Sequence, residues 1–406
     1  MRSPAVMDVV QIETTNACVH ACSNCTRFCG HHKKTFFMEP DTFRKAVDSM
    51  KGFGHCLGVM GGEPTLHPRF ADLCDYIRDN FPESRPHHVF TGPSRNFVGE
   101  VDEMNLRLKK DTIRGLFSSL GPSYYRHFEK IQDTFGFQCL NDHMYPSMHG
   151  GLLITRRELG IPDDEWFKLR DNCWVQNLWS ASITPKGAFF CEIAASLDML
   201  LDGPGGWPIE PGWWRREPAD FGEQLQWCEL CSAALAVPKS DAREEKDDAS
   251  PEWVKRLETI QSPKLRRGGV KPFDVSRYRA EDYAVTNHHR PYLADKTQRM
   301  AEENRAVYPR DVKVVAADSA AFPSAASRGS AGEWILLIEK GDVPARLVAD
   351  LERWVFNPGC VYVDAGAGMK LLNTAAAALG DEGVMARPES RYHPGKVVGV
   401  EFAKLR

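Results

Sequence analysis

The sequence lacks any pronounced excess of charge. Its 406 residues carry 51 Lys and Arg against 55 Asp and Glu, a formal net charge of −4, which removes the electrostatic case for nucleic-acid or membrane-surface binding. Long hydrophobic runs are missing as well. A stretch such as Trp334 to Ile338 falls far short of the about 20 apolar residues that a bilayer-spanning helix needs. No basic segment leads into an apolar run at the N-terminus, so no secretory signal is read and a cytoplasmic protein is expected. Internal repeats and extended low-complexity tracts are also absent. Cysteine is the exception. The chain has 12, and in a reducing compartment that number favours metal binding over a disulfide framework. Two groups stand out: Cys18, Cys22, Cys25 and Cys29, then Cys173, Cys191, Cys228 and Cys231. The scattered Cys56, Cys74, Cys139 and Cys360 read as small buried hydrophobes.

With 42% hydrophobic and 26% charged residues, the chain can bury a core, and its length favours two or three domains. Val9 to Ile12 reads as a strand running into the first cysteine group. Glu39 to Met50 reads as a helix with Pro40 near its start, Cys56 to Met60 as a buried strand and Pro68 to Phe81 as a helix. His88 to Thr91, Gly115 to Ser118 and Leu152 to Thr155 read as further strands, and Tyr124 to Thr134 as a helix. Such alternation implies parallel βαβ units. The expected fold is α/β, with an open or partial barrel over roughly residues 8–165. Residues 171–240 are rich in Trp, Gly, Pro and Cys, and need something other than a large core, such as a metal cluster, to hold them. Ala242 to Ser250 reads as a charged, solvated linker. Val312 to Ala316 and Trp334 to Ile338 read as strands, and Pro344 to Trp354 as a helix, of a small C-terminal α/β domain. The expected division is 1–168, 169–240, a linker and extended segment over 241–300, and 301–406.

The run Cys18-Val19-His20-Ala21-Cys22-Ser23-Asn24-Cys25 spaces three thiols as C-x3-C-x2-C. Three such thiolates can converge on three irons of a cubane cluster and leave the fourth iron open. Zinc is the competing reading. It usually takes four protein ligands, and His20 or Cys29 could supply the last. Downstream, Gly58-Val59-Met60-Gly61-Gly62-Glu63-Pro64 follows the second expected strand. Its glycines let backbone approach closely, and Glu63 offers an acceptor for an ammonium group.

Together these two motifs resemble the radical S-adenosylmethionine (SAM) superfamily. The resemblance implies a partial (β/α)6 barrel and a [4Fe–4S] cluster held by Cys18, Cys22 and Cys25, whose open iron chelates SAM. It implies reductive cleavage of SAM to a 5′-deoxyadenosyl radical, with a flavodoxin- or ferredoxin-type protein as reductant. It also implies SAM contacts from Gly61, Gly62, Glu63 and Pro64, and ribose contacts from Ser118 and Ser119. The family usually has an aromatic residue before the third cysteine. Asn24 stands there in this chain, so adenine contacts are expected elsewhere, and Cys29 is expected to be structural.

The second group is spaced C-x17-C-x36-C-x2-C. A C-x2-C pair on one turn can share a metal, and four cysteines could close a zinc ribbon. The order and spacing resemble the twitch domain, a shortened SPASM domain, of the 2-deoxy-scyllo-inosamine dehydrogenase type, with Ser182 to Cys191 as the hairpin entering the second ligand. This resemblance implies that Cys173, Cys191, Cys228 and Cys231 hold an auxiliary [4Fe–4S] cluster. With no free iron, such a cluster transfers electrons and turns hydrogen abstraction into net oxidation.

His143 and His149 precede the Leu152 strand and are candidate catalytic bases. His87, His88, Asn141, Asp142 and the tryptophans 174, 179, 207, 213, 214 and 227 are candidate substrate contacts, although tryptophans in a small domain serve equally as core. Arg156, Arg157 and Lys186 are alternatives. Ser327 to Asp342 faintly resembles the central strand of family-2 glycosyltransferases, but Glu339 and Asp342 have the wrong spacing for the Asp-x-Asp of that family. The expected function is SAM-dependent radical oxidation of a small polar, carbohydrate-like substrate, without nucleic-acid or membrane partners. A radical peptide maturase and a zinc-stabilised, non-catalytic binding module are the alternatives. The short segment ahead of Val9 leaves no room for an N-terminal peptide-recognition domain, which counts against the maturase.

Overall fold

The computed structural model describes residues 1–83, 89–91, 112–119, 121–140, 148–283, 313–316, 334–338, 362–366 and 369–373. Two compact units are present: Met1–Val89 with Ser94–Ala301, and Phe90–Pro93 with Glu302–Arg406.

The first unit is organised around strand β1 (Val9–Glu13), buried at every position. Burial on both faces is expected of the centre of a parallel sheet. β1 pairs in parallel with β2 (Cys56–Met60) on one side. A short strand, β3 (Val89–Thr91), follows in sequence. β2 pairs in parallel with β4 (Ile113–Ser118), and β4 with β5 (Phe137–Leu140). The connections carry helices α1 (Pro40–Ser49), α2 (Phe70–Asn80), α3 (Pro122–Arg126) and α4 (Phe128–Thr134). In α1, proline occupies the first turn, where its missing N–H costs nothing, and Phe43, Ala46 and Val47 bury one face. Further along come β6 (Met148–Gly150), α5 (Asp163–Asp171) and β7 (Ser180–Thr184). β7 lies parallel to β1 on its other side, and turns back into antiparallel β8 (Gly187–Phe189). Helix α6 (Glu192–Leu200) follows.

The α/β class and the parallel alternation are as expected, and the mostly parallel sheet, in which β4 pairs directly with β2, is compatible with a partial barrel. Two local expectations need correction. Leu152 to Thr155 makes one isolated bridge, Leu153 with Ala249, because its backbone bonds go to Ser232 and Ser250 instead of a sheet neighbour. The expected helix over Tyr124 to Thr134 is broken at His127 into α3 and α4.

The largest correction concerns the run Ala242 to Ser250, read as a solvated linker: Arg243 to Lys246 are exposed, but residues 247–250 are buried. After β9 (Lys239–Asp241), Asp247–Ala249 forms β10, parallel to β11 (Val270–Pro272), with α7 (Pro251–Thr259) and α8 (Pro263–Arg266) between them. Asp247 is 2% exposed and Asp248 1%. Composition misleads here because these charges have buried partners, and burial of a charge is tolerated only when it is paired.

The second unit contains a four-stranded sheet in the order β12-β13-β15-β14. Its strands are Lys313–Ala316 (β12), Trp334–Ile338 (β13), Tyr362–Gly366 (β14) and Met369–Asn373 (β15). β12 and β13 are parallel, and the other pairs are antiparallel. Both strands expected in this region are present, whereas the helix expected over Pro344 to Trp354 lies outside the described residues. Among the described residues no helix is long and apolar enough to cross a membrane.

Candidate metal and cofactor site

The first cysteine loop leaves the C-terminal end of β1 and is stitched at once to the loop after β2. Thr14 donates to the Met60 carbonyl at 2.8 Å, Gly62 to Thr15 at 2.7 Å and Glu63 to Ala17 at 2.6 Å. A Cβ at Gly61 would lie 2.2 Å from the Thr15 oxygen, and one at Gly62 2.1 Å from the Ala17 oxygen. Glycine is therefore required so that the two loops can touch. Pro64 opens a short 3-10 turn, Pro64–Leu66. The Glu63 carboxylate is fully buried. It accepts from Thr65 N at 3.1 Å, from Ser118 Oγ at 2.9 Å, and from both the amide and the hydroxyl of Ser119. Ser118 and Ser119 both meet Glu63.

Cys18, Cys22, Cys25 and Cys29 are all half-buried around this loop. The Cys29 thiol bonds to Cys18 and Cys25, which raises its own pKa well above the usual thiol value. Its bond to Cys25, helped by the Cys29 and Arg27 amides and the Lys264 ammonium, holds the Cys25 thiol at about 5 against the effect of burial. Burial, together with repulsion from Cys25 and Cys18, pushes the Cys22 thiol up. Cys29, expected to be structural, thus bonds to two of the other thiols of its group. The signal was present in the C-x3-C-x2-C-x3-C spacing. His20, the other nominated fourth ligand, leans toward Ser119 and Glu63, with burial lowering its pKa. A cavity of about 610 Å³ opens onto Cys18 and Cys29 and is also lined by His20, His32, Lys246, Lys264 and Arg267.

The segment after β9 clasps this loop from outside. Ser23 donates to Ala242 at 2.9 Å, and Lys246 to Ser23 Oγ at 2.9 Å. Lys264, 2% exposed, donates to the Cys22 carbonyl at 2.8 Å and pairs with Asp247 at 2.8 Å. His31 lies 2.6 Å from Asp247 and 2.6 Å from Ser262 Oγ. Asn24, at φ 49°, occupies the left-handed region that asparagine tolerates. Its side chain donates to Asp248 at 3.0 Å and to the His149 carbonyl at 3.1 Å, and accepts from Asp248 N at 2.9 Å. Asn24 thereby fastens the loop to β10. His149 Nδ1 bonds the Ser23 carbonyl at 2.9 Å, so His149 braces the cysteine loop. His143, His87, His88, Asn141 and Asp142 lie outside the described residues, as do Glu339 and Asp342.

The second group is assembled from distant elements. Cys173 follows α5, Cys191 stands between β8 and α6, and Cys228 and Cys231 fall at the end of a 3-10 stretch, Gly222–Leu230. Burial, reinforced by the neighbouring sulfurs, pushes Cys191 and Cys228 far above the usual thiol value. Burial likewise pushes Cys231 up to about 12. All four pack against an apolar cluster that includes Phe190, Leu197, Phe221, Trp227 and Trp253. A donor set of mutually repelling thiols in an apolar setting suits a group that takes thiolates and neutralises them. Among the described residues no three His, Cys, Asp or Glu side chains converge closely enough to hold a single ion.

Several of the aromatic and basic alternatives are engaged within the fold. Trp213 and Trp214 are buried, and their indole nitrogens donate to Ser49 at 3.2 Å each. Arg156 pairs with Glu229 at 2.9 Å and Asp163 at 2.5 Å, and Lys186 with Asp198 at 3.1 Å.

No protein-family model matches the chain, and no curated protein matches it significantly. Two solved structures resemble part of it. The crystal structure of BtrN in complex with AdoMet and 2-DOIA is 14% identical, with a TM-score of 0.28, over 55% of this chain and 85% of that one. SeMet BtrN in an open conformation is 11% identical, with a TM-score of 0.25, over 58% of this chain and 97% of that one.

Proposed function

We propose that the chain is a radical SAM oxidoreductase acting on a small polar, carbohydrate-like substrate. The observation that carries this reading is the junction of the Cys18–Cys25 loop with Gly61, Gly62 and Glu63. It brings three thiols, a fourth cysteine and a buried carboxylate to the C-terminal ends of β1, β2 and β4. Ligands bind at that edge of parallel α/β sheets. Cys18, Cys22 and Cys25 would hold the first [4Fe–4S] cluster, and Cys173, Cys191, Cys228 and Cys231 the auxiliary one. When bound, the first cluster and SAM supply a radical that takes a hydrogen atom from substrate, and the auxiliary cluster supplies a one-electron acceptor. Glu63 is the natural partner for the SAM ammonium, because a carboxylate offers strong acceptor oxygens to a cationic donor. The hydroxyls of Thr65, Ser118 and Ser119 can turn aside as that cation docks. A flavodoxin- or ferredoxin-type protein is the proposed electron donor.

Metal and sulfide analysis of anaerobically prepared protein tests the reading. About eight irons per chain with matching sulfide, four per cubane, support it, whereas zinc without sulfide sinks it. Replacing Cys18, Cys22 and Cys25 with alanine is expected to abolish 5′-deoxyadenosine formation while keeping the second cluster. Replacing Cys228 and Cys231 is expected to spare SAM cleavage without substrate turnover.

A further inference from the structure

Alternation along β1 puts Gln11 and Glu13 on one face, and both are buried, at 0% and 4% exposure. The register opposes Gln11 to Ser182 of β7, and Ser182 Oγ donates to Glu13 at 3.0 Å. Into this polar patch runs Arg27, two residues beyond Cys25. Its Nε lies 3.4 Å from Glu13 Oε1, and its Nη2 3.1 Å from Glu192 Oε2. The same Nη2 also bonds Gln11 Oε1 and reaches Met60 Sδ at 3.0 Å. Glu192 directly follows Cys191 and opens α6, and it accepts a further bond from Ser180. The Arg27 and Glu192 side chains are only 3% and 4% exposed. One guanidinium therefore ties the loop of the first cysteine group to the residue beside a ligand of the second.

A buried ion pair contributes little net stability, because desolvation offsets most of the attraction. Its effect on neighbouring charges is large for the same reason, since water does not screen it. We propose that the Arg27–Glu192 ion pair is a positioning contact that fixes the two cysteine sites relative to each other and sets the reduction potentials of their clusters jointly. This rests on the radical SAM reading above. Each cluster gains negative charge on reduction. A buried guanidinium favours the reduced form, and a buried carboxylate disfavours it.

The test is an EPR-monitored redox titration of the reconstituted full chain without substrate, comparing wild type, R27M, R27K and E192Q. R27M is expected to lower the potential of the cluster at Cys18, Cys22 and Cys25. E192Q is expected to raise that of the cluster at Cys191. Each shift should change the reduced-to-oxidised ratio at a fixed poise about tenfold, or about 59 mV for a one-electron couple. R27K keeps the charge and should return the potential toward wild type, which a purely steric role would not require. If R27M fails to fold, E192Q and R27K carry the comparison. Unmoved potentials in variants that hold both clusters overturn this proposal and leave the proposed function standing. Wild-type protein with zinc and no sulfide overturns both.

Discussion

The two cysteine groups are held by opposite means. The first sits on a single short loop and is clasped by buried polar and charged side chains: Asp247, Lys264, His31, Asn24 and His149. The second is gathered from three separate elements and embedded among Phe190, Trp227, Trp253 and their apolar neighbours. Directional bonds suit a loop that must stay partly open to a small molecule, because they fix the backbone without filling the space beside it. Apolar packing suits a site that stays closed, since it excludes water and has no preferred direction. The contrast fits the proposal of a first cluster that receives SAM and a second that passes electrons.

That contrast can be broken one side at a time. Asp247→Asn leaves Lys264 buried beside a neutral group, and should cost about 3–5 kcal/mol in denaturant unfolding. Its iron loss is expected first at Cys18, Cys22 and Cys25, read by cluster-resolved EPR. Trp253→Ala empties a fully buried indole beneath the other site and removes its 2.7 Å bond to the Leu230 carbonyl. A similar cost of about 3–5 kcal/mol should then fall with iron loss from the second site; loss from the first site instead would erase the distinction. Gly62→Ala forces a Cβ against the Ala17 carbonyl and should cost about 1–3 kcal/mol, with SAM cleavage falling further than stability.

Acid should separate the sites as well. Burial alone would raise the Asp247 pKa, but His31 and Lys264 hold it below the ordinary carboxylate value. A depressed carboxylate contributes stability that is fully present above the unfolded value of about 3.9 and is lost as pH falls through the lower folded value. Below about pH 4 the clasp is expected to release while the apolar site persists, as amide exchange over residues 239–269 would report. The smallest effect belongs to Ser118→Ala, which leaves Glu63 its other donors. It should cost about 1 kcal/mol, with the KM for SAM altered more than the melting temperature.

Much of this was legible beforehand. The C-x3-C-x2-C loop, the Gly-Gly-Glu-Pro turn and β1, β2 and β4 follow from short-range pattern, because strand periodicity and turn chemistry are local properties. Asp247 and Asp248 were misread for the same reason. A run of charges looks solvated when its partners are out of view, and His31 lies 216 positions from Asp247.

By itself the sequence determined which thiols could act together, since a span of a few residues confines them to one loop whatever the rest of the chain does. Only the tertiary structure decided what holds them. It bonded Cys29 to Cys18 and Cys25, put Asn24 to work as a fastener, folded residues 239–269 over the loop, and ran Arg27 from one cysteine site to Glu192 beside the other. Those choices depend on burial, and a charged side chain enters the interior only where a distant partner meets it.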